Sequence, residues 1–360
     1  MSDPKLYWLG FHLVTGIGPT RLRRLLAHFG GDVERAWRAP TAGLAAAGLE
    51  PRLIDRLVAA RAELDLPAVL RQVADCGARL VTWDDPHYPP ALLKIDWPPP
   101  VLFVRGDLSD GDERAVAIVG TRRPSLYGRD VAARFARELA GRGLTVVSGL
   151  ARGIDAVAHR AALEAGGRTL AVLGCGIDTI YPAEHRDLAG AITGSGAVLS
   201  DYAPTVPPDA ANFPPRNRII SGLSLGVIVV EAAEESGALI TTRFANDQGR
   251  EVFAVPGQIF TKGSRGPHRL IQQGAKLVMD VDDVLTELRF EVDTNPALQP
   301  TLLLDPHESR VLEALSDGPL LPDGLAHQLD LAPGQLSAQL TLLELRGLVR
   351  LEGGRVYRAR

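Results

Sequence analysis

Apolar positions change their spacing twice along the 360-residue chain. Up to residue 78 they fall three and four apart, as in Leu22, Leu25, Leu26 and Phe29 and again in Leu53 and Leu57. That spacing lays one stripe along a helix, so residues 1–78 are predicted to be all helical. From 79 to 290 the apolar residues gather into short unbroken runs at 115–119, 145–148, 169–173, 197–200, 226–231 and 251–255, with a weaker seventh at 276–279. Unbroken rather than alternating runs predict strands buried on both faces. Helical runs at 128–140, 154–165, 183–192, 219–223 and 239–248 lie between them. Strand, helix, strand, repeated, predicts a parallel sheet covered by helices on both sides.

A polar stretch with a proline, Glu291-Val292-Asp293-Thr294-Asn295-Pro296, marks a linker over 291–300. Beyond it, 308–315, 322–329 and 333–345 are predicted helices, and 348–351 with 355–358 a hairpin turned at Gly353-Gly354. This 301–360 segment resembles a winged helix. Its third helix shows Gln335, Ser337, Gln339, Thr341 and Glu344, with no basic residue before Arg346. A groove reader normally carries Lys or Arg there, so the module reads as a weak DNA binder or a protein contact.

Composition narrows the class. No apolar run approaches the length of a membrane span, and Met1-Ser2-Asp3-Pro4 does not begin a secretory signal. Two cysteines, Cys76 and Cys175, make no disulfide framework, so a cytoplasmic protein away from membranes is expected. Net charge is −4 in total, +2 over 1–78, −4 over 79–300 and −2 over 301–360. Any nucleic-acid site must therefore be a local cluster.

Parallel sheets bind ligands at the carboxyl ends of their strands. Here the strands are predicted to end at Gly120, Gly149, Gly174, Glu231 and Gly257. No P-loop or dinucleotide fingerprint accompanies those glycines, no zinc spacing appears, and no cofactor is expected. Three turns carry arginine into a helix start: Gly120-Thr121-Arg122-Arg123-Pro124-Ser125, Ser148-Gly149-Leu150-Ala151-Arg152-Gly153, and Phe213-Pro214-Pro215-Arg216-Asn217-Arg218. A cation there opposes the helix dipole. A bound phosphate would resolve the conflict; so would a carboxylate such as Asp155 or Glu231, with the arginines bracing loops. Phe213 is either a surface on which a base stacks or a core side chain. Ser148, Asp155 and His159 suggest a hydrolase triad, but the context is not a nucleophile elbow. Glu231 and Glu234 suggest an acid site or a turn facing the cleft. Near the start, Val14-Thr15-Gly16-Ile17-Gly18-Pro19-Thr20-Arg21 is a helix-hairpin-helix signature, suited to DNA phosphates or to protein docking.

Taken together, the residues resemble one family over roughly 80–285: the bacterial DNA-processing protein A family, also called DprA or Smf. The resemblance rests on Ala117-Ile118-Val119-Gly120-Thr121-Arg122, on Val147-Ser148-Gly149-Leu150-Ala151-Arg152-Gly153-Ile154-Asp155 with His159, and on Tyr181-Pro182. It continues through Phe213-Pro214-Pro215-Arg216-Asn217-Arg218, Glu231-Ala232 with Ser236-Gly237, Arg250-Glu251-Val252, and Ala254-Val255-Pro256-Gly257. Thr121 stands where Ser is usual, Asp201 where Glu is usual, and His185 and His268 where Asn is usual.

The resemblance implies an α/β fold: an extended Rossmann-like parallel-sheet core over 79–290, an N-terminal helical (helix-hairpin-helix or SAM-like) domain over 1–78, and a winged-helix domain over 301–360. It implies a homodimer that binds single-stranded DNA and loads the RecA recombinase onto incoming strands in natural transformation, beside the single-strand binding protein. The strand site would comprise Gly120, Thr121, Arg122, Ser148, Gly149, Arg152, Phe213, Arg216, Asn217 and Arg218. Such a protein is a mediator rather than an enzyme. The competing reading is a Rossmann-like nucleotide phosphoribohydrolase, with Glu231 as acid; the expected Gly-Gly-x-Gly-Thr loop is replaced here by Glu231-Ala232-Ala233-Glu234-Glu235-Ser236-Gly237. A transcription regulator acting through the winged helix is disfavoured by that module's acidic charge.

Overall fold

A computed structural model describes residues 3–290, 306–315, 318–345, 348–352 and 354–358. The chain divides into two compact units, Met1–Val292 and Asp293–Arg360. The expected linker at 291–300, and Arg346 and Gly353 of the winged-helix reading, lie outside the described residues.

The first unit is built on one nine-stranded sheet. Its strands are β1 (Ala78–Thr82), β2 (Val101–Gly106), β3 (Ala115–Val119), β4 (Thr145–Ser148), β5 (Thr169–Val172), β6 (Ala197–Ser200), β7 (Gly226–Val229), β8 (Glu251–Ala254) and β9 (Lys276–Leu277). The spatial order is β1-β2-β6-β5-β4-β3-β7-β8-β9. From β6 to β9 every pairing is parallel. The six runs predicted as strands are all present, and the weaker seventh shrinks to two residues. Sequence reading missed β1 and β2, which extend the sheet antiparallel beyond β6. Both precede the first parallel strand–helix–strand unit, which begins at β3, so no crossover pattern announces them.

Alternate residues of each strand enter opposite faces, as the period of two requires. Val116 and Ile118 join one core with Phe135, Leu139 and Ala158, beneath the helices Leu126–Gly141 and Ile154–Glu164. Ala117 and Val119 join another with Ile219, Ile220 and Ala245, from the helices Phe213–Gly222 and Ala238–Asp247. A third core merges Trp8, Phe11 and Leu25 of the N-terminal helices with Phe103 of β2 and Ala171 of β5.

The N-terminal hairpin closes through Gly16, at φ 99°. Its arginines make surface contacts within the same compact unit. Arg21 pairs with Glu50 at 3.1 Å, Arg24 donates to the Gly48 carbonyl, and Arg23 donates to the Leu93 carbonyl at 3.2 Å while lying over Trp83. These bonds favour a bracing role for the hairpin over phosphate contact.

The second unit has the helices Pro306–Ala314, Pro322–Leu329 and Pro333–Leu345, then β10 (Val349–Glu352) paired antiparallel with β11 (Arg355–Arg358). Val311, Leu325, Leu340 and Val356 form its core. Among the described residues no helix is long and apolar enough to cross a membrane.

Candidate functional site

Chain order reverses at β3. β4, β5 and β6 succeed one another on one side of it, and β7, β8 and β9 on the other. In a doubly wound sheet this reversal opens a crevice at the carboxyl ends of the strands. A cleft of about 440 Å³ lies there, lined by Gly120 and Arg122 past β3, Asp155 past β4, Tyr181, Phe213, Arg216 and Asn217, and Ser236 and Thr241 past β7. A smaller recess beside it is lined by Arg122, Gly149, Arg152, Tyr181 and Phe213.

Two strand-end glycines make this wall possible. A Cβ on Gly174 would stand 2.7 Å from the Phe213 ring, and one on Gly149 would stand 2.7 Å from the Arg216 guanidinium. The helix Phe213–Gly222 therefore presses its first turn directly onto the ends of the strands.

The aromatic and cationic groups converge on Phe213. Arg122 lies over its ring at 5.6 Å and Arg216 at 5.8 Å. Tyr181 stands 5.6 Å away, its plane tilted by 43°. Tyr181 is 40% exposed, and the expected site residues did not include it. Its signal was present in the Tyr181-Pro182 pair, yet nothing local says that this turn reaches Phe213.

The expected conflict between arginines and helix dipoles is settled internally at two of the three turns. Glu231, just past β7, accepts from the Ser125 amide at 2.9 Å and hydroxyl at 2.5 Å, at the start of Leu126–Gly141. Asp155, in the first turn of Ile154–Glu164, accepts from the amides of Gly149 and Ala151 at 3.1 and 3.3 Å. Burial pushes its carboxyl upward, and Arg216 opposes that shift. The third helix has no acid in its first turn. Pro214 and Pro215 also remove two amide donors there. An anion at this end would thus depend on the arginine side chains.

Of the expected site residues, Gly120, Arg122, Phe213, Arg216 and Asn217 line the cleft, and Gly149 and Arg152 the recess. The other three, Thr121, Ser148 and Arg218, line neither the cleft nor the recess. Ser148 is fully buried and donates to the Ile118 carbonyl at 2.6 Å. Thr121 shapes its turn, its amide donating to the Glu231 carbonyl at 2.6 Å and its hydroxyl accepting from the Arg123 amide at 3.2 Å. Arg218 pairs with Asp201 at 2.7 Å and donates to the Trp97 carbonyl at 2.9 Å. At 3.6 residues per turn, two positions apart are about 200° apart, so Arg216 and Arg218 leave opposite faces of one helix.

The arginines at the cleft differ among themselves. Arg152 is exposed and paired with Glu184 through two contacts, at 2.5 and 2.8 Å. Arg216 is 4% exposed; it donates to the carbonyls of Gly149, at 3.0 Å, and Val172, and to Asn217 Oδ1 at 3.2 Å. Burial lowers its pKa, with Asp155 acting the other way. Arg122 is exposed, and among the described residues it has no carboxylate within ion-pair distance.

The triad reading fails on geometry. His159 is fully buried, with Nδ1 2.7 Å from the Thr169 hydroxyl, and Ser148 is committed to Ile118. Burial pushes the His159 pKa down to about 3. Unfolded histidine titrates near 6.5, so the unfolded chain takes up the proton first as pH falls. This contribution to stability is complete above about pH 6.5 and is lost between there and about pH 3, by up to about 1.4 kcal/mol per pH unit. A His159→Gln variant should show a shallower loss of denaturation midpoint on acidification than the parent. Equal slopes would refute this assignment.

Fold and cleft together define a doubly wound α/β protein with an arginine- and aromatic-lined cleft at the sheet reversal. The family model described as DNA recombination-mediator protein A matches residues 79–289, and the DprA winged helix domain matches 295–355. The chain belongs to the DNA recombination-mediator protein A family. It is 36% identical to Protein Smf of Synechocystis over the whole of both chains. It is 46% identical to DNA processing protein DprA of Bacillus subtilis, over 62% of this chain and 75% of that one. The X-ray structure of DNA processing protein A from Streptococcus pneumoniae superposes with a TM-score of 0.69 at 36% identity, covering 80% of this chain and 98% of that one. DNA processing protein A from Helicobacter pylori, whose single-stranded DNA binding mode that structure addresses, superposes with a TM-score of 0.53 at 30% identity, covering 59% and 97%.

Proposed function

We propose that this chain binds single-stranded DNA in the cleft and acts as a recombination mediator. The observation that carries the reading is the cluster of Arg122, Phe213 and Tyr181 at the cleft. It sets an exposed cation, without a carboxylate partner among the described residues, beside two aromatic rings, the combination that holds phosphates and stacks bases without choosing a sequence. The Helicobacter relative, described as binding single-stranded DNA, supports the same reading. In this role the protein works in the cytoplasm as a homodimer and loads RecA onto the bound strand, alongside the single-strand binding protein.

Glu231 favours binding over hydrolysis. Its carboxylate is 4% exposed, engaged by Ser125, and not part of the cleft wall. Gel shifts comparing single-stranded with duplex DNA across salt concentrations test the proposal. Preference for the single strand, weakening as salt rises, is expected; equal affinity for both would sink it. Base released from nucleoside monophosphates would instead establish the hydrolase. Light scattering showing only a 38.5 kDa species at micromolar concentration would contradict the dimer.

The compact unit ending at Val292 contains the whole cleft, and residues 301–360 carry a net charge of −2. A chain ending at 292 should therefore fold and keep most of its single-strand affinity. A folded truncation that lost nearly all of it would refute this expectation.

A further inference from the structure

The turn that borders the cleft continues into a second surface. Past Arg122 come Arg123 and Ser125, and then Tyr127 at the start of the helix Leu126–Gly141. Tyr127 is 49% exposed, and Phe260, in the loop after β8, is 92% exposed. The two segments share one base. The Tyr127 hydroxyl donates to the Pro256 carbonyl at 2.7 Å. Glu231 accepts from Ser125, and a Cβ on Gly263 would stand 3.6 Å from its carboxyl carbon. The Ala232 amide donates to the Gly263 carbonyl at 2.7 Å. Both aromatic side chains thus lie within three residues of a contact to that base.

Cations accompany them. Arg123, Lys262 and Arg265 are exposed, and among the described residues none has a carboxylate within ion-pair distance. The nearest acid in the shared base, Glu231, is buried and committed to Ser125. An apolar patch that simply buries itself against a second copy of the chain gains nothing from three unpaired cations, whereas a polyanion with stackable bases matches both features.

We propose that single-stranded DNA leaving the cleft runs over this ledge, stacking bases on Tyr127 and Phe260 while Arg123, Lys262 and Arg265 take phosphates. This rests on the reading of the cleft as the strand site and extends it to a longer track. The ledge adds contacts only for strands long enough to run past the cleft.

The test measures the affinity of the full chain and its Phe260→Ala variant for oligothymidylates of increasing length, with light scattering on the same samples. Phe260 is almost wholly in solvent, so folding should be unaffected. Loss of one stacked base should weaken long strands about tenfold, with short-strand affinity and mass unchanged. Lys262→Gln should flatten the salt dependence for long strands only. Unchanged long-strand affinity in Phe260→Ala overturns the ledge. So does a change of oligomeric mass with strand affinity intact, which would assign the surface to a second copy. Failure of the cleft reading shows separately, as short-strand binding that is absent from the parent chain.

Discussion

Replacing Arg216 with alanine is expected to cost about 3 kcal/mol or more of stability, because each buried acceptor that loses its charged donor costs about 1–3 kcal/mol. The guanidinium is 4% exposed and bridges the ends of β4 and β5 through the carbonyls of Gly149 and Val172. Its removal leaves those acceptors and Asn217 Oδ1 without their donor, and it leaves the buried Asp155 carboxylate without its neighbouring cation. Arg216→Lys should recover only part of the loss, because an ammonium cannot reproduce the planar fork. Urea denaturation measures the effect. A midpoint equal to that of the parent would show that Arg216 does not brace the strand ends.

Arg122→Ala should do the opposite, leaving the denaturation midpoint within about 0.5 kcal/mol of the parent while weakening single-strand binding about tenfold or more. Arg122 is exposed, has no carboxylate partner among the described residues, and lies over Phe213. One lost phosphate contact should flatten the log–log salt plot by about 0.7. Binding should weaken similarly for all sequences, since phosphates carry no base identity. A folded Arg122→Ala variant with unchanged affinity and salt slope would sink the proposed site. From the sequence both arginines were expected to behave alike as phosphate ligands. Burial separates them, since one side chain forms the floor of the cleft and the other stands at its mouth.

The local pattern was enough for the central strands and the helices between them. Each depends on spacing within a few residues, because period and burial are tied together by the geometry of strand and helix. The motif residues Gly120, Arg122, Phe213, Arg216 and Asn217 could be named for the same reason, and all five meet in one cleft. What each arginine does was decided elsewhere in the chain. Arg152 finds Glu184, Arg218 finds Asp201, Ser125 finds Glu231, and Tyr181 reaches Phe213. These partners are separated by 17 to 106 positions in the pairs with hydrogen bonds, too far for any local period to register. The antiparallel strands β1 and β2 were hidden likewise, because pairing beyond β6 depends on an edge that exists only once the sheet has formed. The sequence by itself thus determined which groups could bind an anion, through residue type and turn position. Only the tertiary structure decided which of them remain free to do so, because a charge is neutralised by whatever the fold brings within a few ångströms of it.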